Sequence, residues 1–266
     1  MNLFIKKVYT VGFSIYGFII FLLLMFILLP LFAACFFLGR IRGGNILYRL
    51  CRFWADAFFF LTFITSKTIY EEKPAGNNPY VFISNHISYL DVPMMMKAIR
   101  RRNVRILAKA EMAKIPVFGF IYKQGTVRVY RDDDSKRKES IRELICFLHQ
   151  KISVFICPEG TFNTTGQPLK NFYDGAFKIA IETQTPVCPI LFLDTYDRLN
   201  YHSVFSLTPG KSRSVFLPQT STEGLTTDDL PFLKDKIFRQ MEDALIRYKA
   251  SWIKQERLWI YQEHRI

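Results

Sequence analysis

The sequence has few features that could hold a metal ion or a disulfide bond. Its cysteines are odd in number, scattered and without a C-x-x-C pair; they are Cys35, Cys51, Cys146, Cys157 and Cys188. This pattern is typical of a reducing compartment and argues against disulfides and against a zinc site. The histidines are equally dispersed, so the sequence predicts no metal ligands and no resident cofactor.

The chain also lacks the signatures of two enzyme classes and of nucleic-acid binding. Neither the G-x-S-x-G turn of serine hydrolases nor the G-x-x-x-x-G-K-[ST] phosphate loop occurs. No zinc spacing or recognised nucleic-acid-binding motif accompanies the net charge of +13. Half of the 266 residues are hydrophobic and 26 are phenylalanine, which favours an anionic membrane surface over a nucleic acid as the partner.

One long run near the N-terminus lacks charge altogether. Residues 8–39 contain no charged side chain, whereas about 20 apolar residues already cross a bilayer core and a signal peptide needs only about 7–15. The run can therefore cross, tilt or bend at Pro30. A second apolar stretch, residues 53–65, is too short to span and predicts a helix that lies in the interface or packs back against the first. Residues 1–65 are predicted to form membrane-associated helices, and spanning or re-entry stays open.

The basic residues around these stretches predict an orientation. Those between the two stretches outnumber those upstream: Arg40, Arg42, Arg49 and Arg52 against Lys6 and Lys7. Because positive charge accumulates on the cytoplasmic side of a membrane, we expect the rest of the chain on the cytoplasmic face of the inner membrane.

From residue 66 to residue 266 short β-type runs alternate with helical patterns. The predicted strands are Lys67–Glu71, Tyr80–Ser84, Val104–Ala108, Thr126–Tyr130, Ser153–Cys157, Val187–Phe192 and Ser214–Leu217. The predicted helices are Asp91–Arg100, Pro116–Lys123, Ser135–Gln150 with Ser135 as its cap, Gly175–Thr183 and Asp229 to about Tyr261. Such alternation predicts an α/β fold with a largely parallel, twisted sheet covered by helices, preceded by a membrane-embedded helical segment or hairpin.

The segment from Asn85 to Asp91 has the strongest chemical pattern. It follows an apolar strand, and Pro93 marks the first turn of the next helix. On one helix, His86 and Asp91 would point about 140° apart, so their pairing requires a strand-to-helix turn. The carboxylate would accept one ring N–H and leave the other nitrogen able to take a proton from a hydroxyl. The alternative is a surface histidine beside a helix-capping aspartate.

Four blocks between Pro79 and Ile190 together resemble the glycerolipid acyltransferase family, whose type member acylates 1-acylglycerol-3-phosphate. The blocks follow the family's order: His86 with Asp91, Gly125–Arg131, Pro158–Thr161, and Pro186 with Pro189. The resemblance implies transfer of a fatty acyl group from a thioester, on coenzyme A or acyl carrier protein, to a lysophospholipid hydroxyl. The simplest acceptor is lysophosphatidate. His86 would be the general base and Asp91 its orienting partner.

The same resemblance assigns substrate contacts to the other blocks. Gly160 and Thr161 would offer backbone N–H groups to anionic oxygens. Glu159 would hold a basic side chain or an acceptor hydroxyl, with a plain turn carboxylate as the alternative. Lys109 and Arg131 are the candidates for binding a phosphate, although a solvated lysine after a strand would look the same.

One departure from the family puts the acceptor in doubt. The family usually has arginine after its Glu-Gly-Thr, and this chain has Phe162. Either Arg131, Lys109 or Lys170 compensates, or the acceptor is a lyso-amino-acid lipid of the ornithine- or glycine-lipid type. A thioesterase and a non-catalytic lipid-binding member of the fold also stay open.

A basic cluster, Arg100–Arg102 with Arg105, follows the predicted catalytic turn. It could bind coenzyme A phosphates, the acidic face of a carrier protein or anionic lipid, or it could simply be solvated.

Overall fold

The computed structural model describes residues 2–115, 118–130 and 133–253. The described part contains seven strands: β1 (Ile64–Tyr70), β2 (Val81–Ser84), β3 (Val104–Lys109), β4 (Thr126–Val129), β5 (Ser153–Ile156), β6 (Val187–Phe192) and β7 (Gly210–Phe216). Its α-helices are α1 (Leu3–Phe36), α2 (Gly44–Leu61), α3 (Asp91–Ala98), α4 (Phe118–Gly125), α5 (Asp134–His149), α6 (Gly175–Glu182), α7 (Thr195–Arg198) and α8 (Leu230–Arg247).

All seven strands join one sheet in the order β1-β7-β6-β2-β5-β3-β4. The central strands β6, β2, β5, β3 and β4 are parallel to one another. Only β6 and β7 pair in the antiparallel direction, which reverses β7 and its parallel neighbour β1. The predicted α/β class with a largely parallel sheet is therefore confirmed.

Alternation along the central strands divides the core between the two faces of the sheet. Successive strand residues point to opposite faces, so Val81 and Ile83 of β2 pack with α5, α6 and α8, while Phe82 packs with α1, α2 and α3. Both clusters consist of buried apolar side chains. Helices on both faces allow a parallel sheet to bury nearly all of its central strands.

The N-terminal helices form a hairpin that covers one face of the sheet. α1 continues through Pro30, and a π-helical turn, Gly39–Gly43, connects it to α2. The returning helix packs against the first: the Tyr16 hydroxyl donates to the Leu61 carbonyl at 2.9 Å, and Phe21 meets Trp54 edge to face. The prediction that the second segment packs back is confirmed, although its helix begins earlier than expected, at Gly44.

The outer surface of α1 stays apolar and exposed. Among the described helices α1 is the one long and apolar enough to cross a membrane, by length and composition, and only 22% of its most apolar window is buried. Phe18, Phe26 and Ile27 are each more than half exposed.

Several predicted boundaries are wrong. α3 ends at Ala98 rather than Arg100, β1 begins at Ile64 rather than Lys67, and β7 begins at Gly210 rather than Ser214. The cap of α5 is Asp133, not Ser135: the Asp133 carboxylate accepts a hydrogen bond from the Lys136 N–H at 3.0 Å. The last helix was expected to continue to about Tyr261 but ends at Arg247, since Lys249 adopts a left-handed φ of 53°. Trp252 still packs in the core, and the basic and aromatic tail from residue 254 onward lies outside the described residues.

Candidate active site

The candidate site lies where the carboxyl ends of the central strands meet. Because β2, β5 and β6 run in parallel, the segments that follow them emerge at the same edge of the sheet, where open α/β sheets bind ligands. His86 follows β2, Glu159 follows β5, and Thr195 follows β6.

His86 and Asp91 form the predicted pair. The His86 Nδ1 atom lies 2.9 Å from Asp91 Oδ2, and the same carboxylate oxygen accepts the backbone N–H groups of Ile87 and Ser88 at 2.7 and 2.8 Å. Asp91 is fully buried as the first residue of α3, while the His86 side chain keeps about a quarter of its surface exposed. A carboxylate partner requires the proton on Nδ1, so Nε2 is the acceptor nitrogen.

Thr195, which was not predicted from the sequence, also contacts Asp91. Its hydroxyl donates to Asp91 Oδ1 at 2.7 Å, so donors engage both carboxylate oxygens. Thr195 is fully buried at the start of α7. A hydroxyl 104 residues further along the chain leaves no local signal near Asp91; only the parallel pairing of β2 with β6 brings the two together.

The contacts of Glu159 differ from the expectation. Its carboxylate is buried and accepts two backbone N–H groups, from His86 at 2.8 Å and from Lys170 at 2.9 Å. Burial, which outweighs these two hydrogen bonds, raises the pKa of the Glu159 carboxyl to about 8. Within the described residues the Glu159 carboxyl therefore accepts hydrogen bonds from the backbone of the turn that carries His86 and from none of the basic side chains, although the Lys170 ammonium helps to lower its pKa.

Gly160 and Thr161 form the tight turn after Glu159. Gly160 adopts a φ of +71°, and a Cβ atom there would lie 2.7 Å from the exposed Tyr173 ring, so any other residue would be strained and would have to displace this ring. The Gly160 N–H donates to the Cys157 carbonyl at 3.0 Å; the expectation that this N–H is open to a substrate oxygen is therefore wrong. The Thr161 hydroxyl accepts from the Lys170 ammonium, and its backbone N–H has no acceptor among the described residues.

The structure describes only one of the two residues predicted to bind a phosphate. Lys109 ends β3 at the same edge as His86, half exposed, with its ammonium 3.8 Å from Glu111. One strand, β5, separates β3 from β2, so Lys109 lies roughly 10 Å to the side of His86 at about 4.8 Å per strand spacing. Arg131 lies outside the described residues.

The basic cluster lies at the other edge of the sheet, because it precedes or begins β3. Arg100 pairs with Asp56, and Arg102 donates to two backbone carbonyls. Arg105 is fully buried and donates to the Arg40 and Ile41 carbonyls. The expectation that Arg105 belongs to an exposed ligand-binding cluster is therefore wrong.

An aromatic cluster, defined here as Phe162, Tyr89, Tyr201 and Tyr196, flanks the imidazole. The Phe162 ring centroid lies 4.3 Å from that of His86 and 5.0 Å from that of Tyr89. Tyr201 stacks on Phe162 at 6.0 Å and meets Tyr196 at 5.7 Å. One side of the imidazole is thus apolar and has no cation at the Phe162 position.

Comparison with known proteins identifies the family of this fold. Residues 64–193 match the family model described as Acyltransferase. The chain is 34% identical over 165 residues to the 1-acyl-sn-glycerol-3-phosphate acyltransferase alpha of Mus musculus, covering 61% of this chain and 57% of that protein. It is 30% identical over 174 residues to the Homo sapiens beta enzyme, covering 65% and 62%. The chain therefore spans about three fifths of the length of these relatives.

A solved structure extends the likeness to nearly the whole fold. The crystal structure of the 1-acyl-sn-glycerophosphate (LPA) acyltransferase PlsC from Thermotoga maritima superposes with a TM-score of 0.74, covering 94% of this chain and 100% of that one at 21% identity. At that identity the likeness concerns the fold alone. Residues 64–193 of this chain therefore form a domain of the Acyltransferase family.

Proposed function

We propose that this protein is a membrane-bound O-acyltransferase that moves a fatty acyl group from an acyl thioester to a lysophospholipid hydroxyl. The observation that supports it most is the hydrogen bond between His86 Nδ1 and the buried Asp91, which leaves Nε2 as a base at the carboxyl edge of the sheet. The simplest reaction converts lysophosphatidate to phosphatidate.

The proposed reaction proceeds in two proton transfers without a resident cofactor. His86 Nε2 takes the proton of the acceptor hydroxyl while its oxygen attacks the thioester carbonyl carbon, and the C–S bond of the tetrahedral intermediate then breaks. The imidazolium returns the proton to the leaving thiolate. Asp91 remains a carboxylate throughout and stabilises the imidazolium, and the Thr161 N–H is the candidate donor to the oxyanion.

The residues proposed to contact the substrates belong to the site at the carboxyl edge of the sheet. Lys109 and Arg131 are proposed to bind the acceptor phosphate, and Lys170, which contacts the Thr161 hydroxyl, is a third candidate. Glu159 and Gly160 are proposed to shape this region by holding the turns that carry His86 and Thr161. The donor is acyl-CoA or acyl carrier protein, since both present a thioester.

The membrane is the proposed location of the substrate. The exposed apolar surface of α1 and the basic residues that follow it support attachment to the inner membrane with the catalytic edge in the cytoplasm. On this proposal residues 1–65 are the membrane-associated part and residues 66–266 the acyltransferase domain, although the two share one apolar cluster.

The direct test is turnover by the purified full-length protein. Lysophosphatidate and a lyso-amino-acid lipid are each offered with acyl-CoA or acyl carrier protein, and ester and fatty acid are quantified by mass spectrometry. The proposal predicts that at least one combination of acceptor and acyl donor yields the acylated lipid ester. Fatty acid release that exceeds ester formation at saturating acceptor would instead indicate a thioesterase, and no turnover would indicate a lipid-binding protein.

One observation favours a second candidate acceptor, the lyso-amino-acid lipid. Phe162 packs on the His86 ring where the family usually places a guanidinium. An apolar ring beside the imidazole offers nothing to a phosphate monoester and accommodates a less charged headgroup.

Replacing Phe162 by arginine is therefore expected to shift acceptor preference. A guanidinium beside His86 adds a charge-assisted hydrogen bond to a phosphate, about 1.5–3 kcal/mol, so kcat/KM for lysophosphatidate relative to the lyso-amino-acid lipid should rise by about tenfold or more. Phe232→Arg, on the exposed surface of α8, adds the same charge elsewhere. An equal shift in both variants would assign the effect to net charge.

Replacing Thr195 by valine is expected to lower kcat about tenfold while KM stays unchanged. The valine removes a hydrogen bond to a buried carboxylate, about 1.5–3 kcal/mol, and so loosens the group that orients His86. Thr195→Ser keeps the hydroxyl and should restore kcat to near the wild-type value. If serine fails to restore kcat, packing of the methyl group rather than the hydroxyl is responsible.

A further inference from the structure

A pocket of about 400 Å³ lies at the elbow between α1 and α2, at the edge of the sheet opposite to His86. Its lining residues are Arg42, Asn45, Ile46, Arg49 and Asn103. Four of the five come from the π-helical turn and the start of α2, and Asn103 precedes β3. Spacings of three, four and seven residues place these four on one face of the helix.

Two guanidinium groups and two side-chain amides line this elbow pocket, and one of the amide oxygens is already occupied. The Asn45 side-chain oxygen accepts a hydrogen bond from Arg105 at 3.0 Å, so the amide oxygen is occupied and its NH₂ group is left to donate. Among the described residues no carboxylate pairs with Arg42 or Arg49, and no acidic residue lines the pocket.

Among the described residues, no carboxylate makes direct contact with the positive charge beneath the pocket. Arg105 is fully buried, and its guanidinium donates to main-chain carbonyls and to Asn45 without a carboxylate partner among the described residues. Burial and the neighbouring Arg40 lower the pKa of Arg105 to about 10, which still leaves it charged near pH 7. Glu143 pairs with Arg40, so Arg42, Arg49 and Arg105 together contribute an excess of three positive charges.

The surroundings of the elbow favour a lipid as the source of the anion. Phe37 is 86% exposed and Leu38 about half exposed immediately before the turn, and Phe53 continues the same face of α2 beyond Arg49 with 60% of its surface exposed. Apolar side chains on both sides of a pocket lined by guanidinium and amide groups match a molecule with a phosphate head and acyl chains.

We propose that the elbow pocket is a binding site for the phosphate group of an anionic phospholipid, separate from the catalytic edge. Arg42 and Arg49 lie about 10 Å apart along the helix at 1.5 Å per residue, and both side chains are long enough to converge on one phosphate above Ile46. Arginine suits this task because its planar fork of donors matches phosphate oxygens. Membrane lipid bound here would hold the hairpin at the bilayer surface without occupying the acceptor site.

The test compares two double variants of the full-length protein in detergent. Arg42→Gln/Arg49→Gln removes the proposed ligands, and Lys138→Gln/Lys236→Gln removes the same charge from exposed positions on α5 and α8. Binding of short-chain phosphatidylglycerol, inorganic phosphate and coenzyme A is measured by titration, and the melting midpoint without ligand verifies folding.

The site predicts that phosphatidylglycerol affinity falls at least tenfold in the arginine variant and changes less than about twofold in the lysine variant. Equal losses in both variants would overturn it in favour of diffuse attraction. If inorganic phosphate bound as tightly as phosphatidylglycerol, the bound phosphate group would not need to come from a lipid, and the proposal would be overturned. If the arginine variant lost only coenzyme A binding, the pocket would instead be a site for the acyl donor. Acyl transfer from detergent-solubilised substrates should not change, so a failure here is distinguishable from a failure of the proposed activity.

Discussion

Replacing His86 by alanine is expected to abolish most acyl transfer while leaving the fold intact. In the proposed mechanism the imidazole is the general base, and loss of a general base typically costs about 10²–10⁴-fold in rate. The variant loses the hydrogen bond from the ring to buried Asp91, but that carboxylate keeps the donors Ile87, Ser88 and Thr195; the melting midpoint should therefore fall only modestly and the protein should stay folded. Rates are measured with the acceptor and donor that the wild-type protein prefers.

A matched histidine provides the control for this experiment. His149 is exposed at the end of α5, at the opposite edge of the sheet, and His149→Ala should keep wild-type activity. A His86→Ala variant that retains more than about a tenth of the wild-type rate would contradict the proposed mechanism. Such a result would mean that another group deprotonates the acceptor hydroxyl and that the carboxyl edge of the sheet serves to bind the acyl donor.

The central strands of the sheet could be predicted from the sequence because β2, β5 and β6 are buried on both faces. A strand that is buried on both faces appears in the sequence as a continuous apolar run. Val187–Phe192 is such a run, and this strand matches its prediction at both ends. The reversal of β7 and β1 could not be predicted, since both parallel and antiparallel strands have the same local pattern. Pairing partners depend on the whole chain rather than on any window of it.

The pair of His86 and Asp91 was predictable because it is local, five residues apart across a turn that proline marks. The groups that support it were not, because they come from distant segments. Thr195 reaches Asp91 across 104 residues, and Glu159 reaches the His86 backbone across 73. The burial of Arg105 was also missed, because its charge grouped it with the arginines at 100–102, although it lies between the buried strand residues Val104 and Ile106 and the α1–α2 elbow covers it.

Replacing Glu159 by glutamine is expected to reduce both stability and rate. Both carboxyl oxygens accept N–H groups, from His86 and from Lys170. The hydroxyl oxygen of the protonated acid can still accept through a lone pair, whereas a glutamine amide would turn an NH₂ group, which only donates, toward one of these N–H groups. A buried donor left without an acceptor costs about 1–3 kcal/mol in the free energy of unfolding. If the His86 backbone moves by about 1 Å, kcat falls on the order of 10²-fold.

The same substitution should remove a pH dependence of stability. Burial raises the pKa of Glu159 in the folded protein to about 8, above the roughly 4.3 of an unfolded chain. Between these values the folded state binds more protons, so the wild-type free energy of unfolding falls as pH rises, by at most about 1.4 kcal/mol per pH unit. Glutamine does not titrate; the deficit of the variant is therefore largest near pH 5 and shrinks toward pH 8.

Melting midpoints of the full-length protein in detergent at pH 5, 6.5 and 8 measure this difference. Glu182→Gln, at an exposed position on α6, is the matched control and should follow the wild-type curve at every pH. A gap between wild type and Glu159→Gln that widens as pH rises would mean that the folded protein favours the ionised carboxylate. In that case the two backbone N–H groups affect the pKa of Glu159 more than burial does, and Glu159 is ionised when it holds the turn that carries His86.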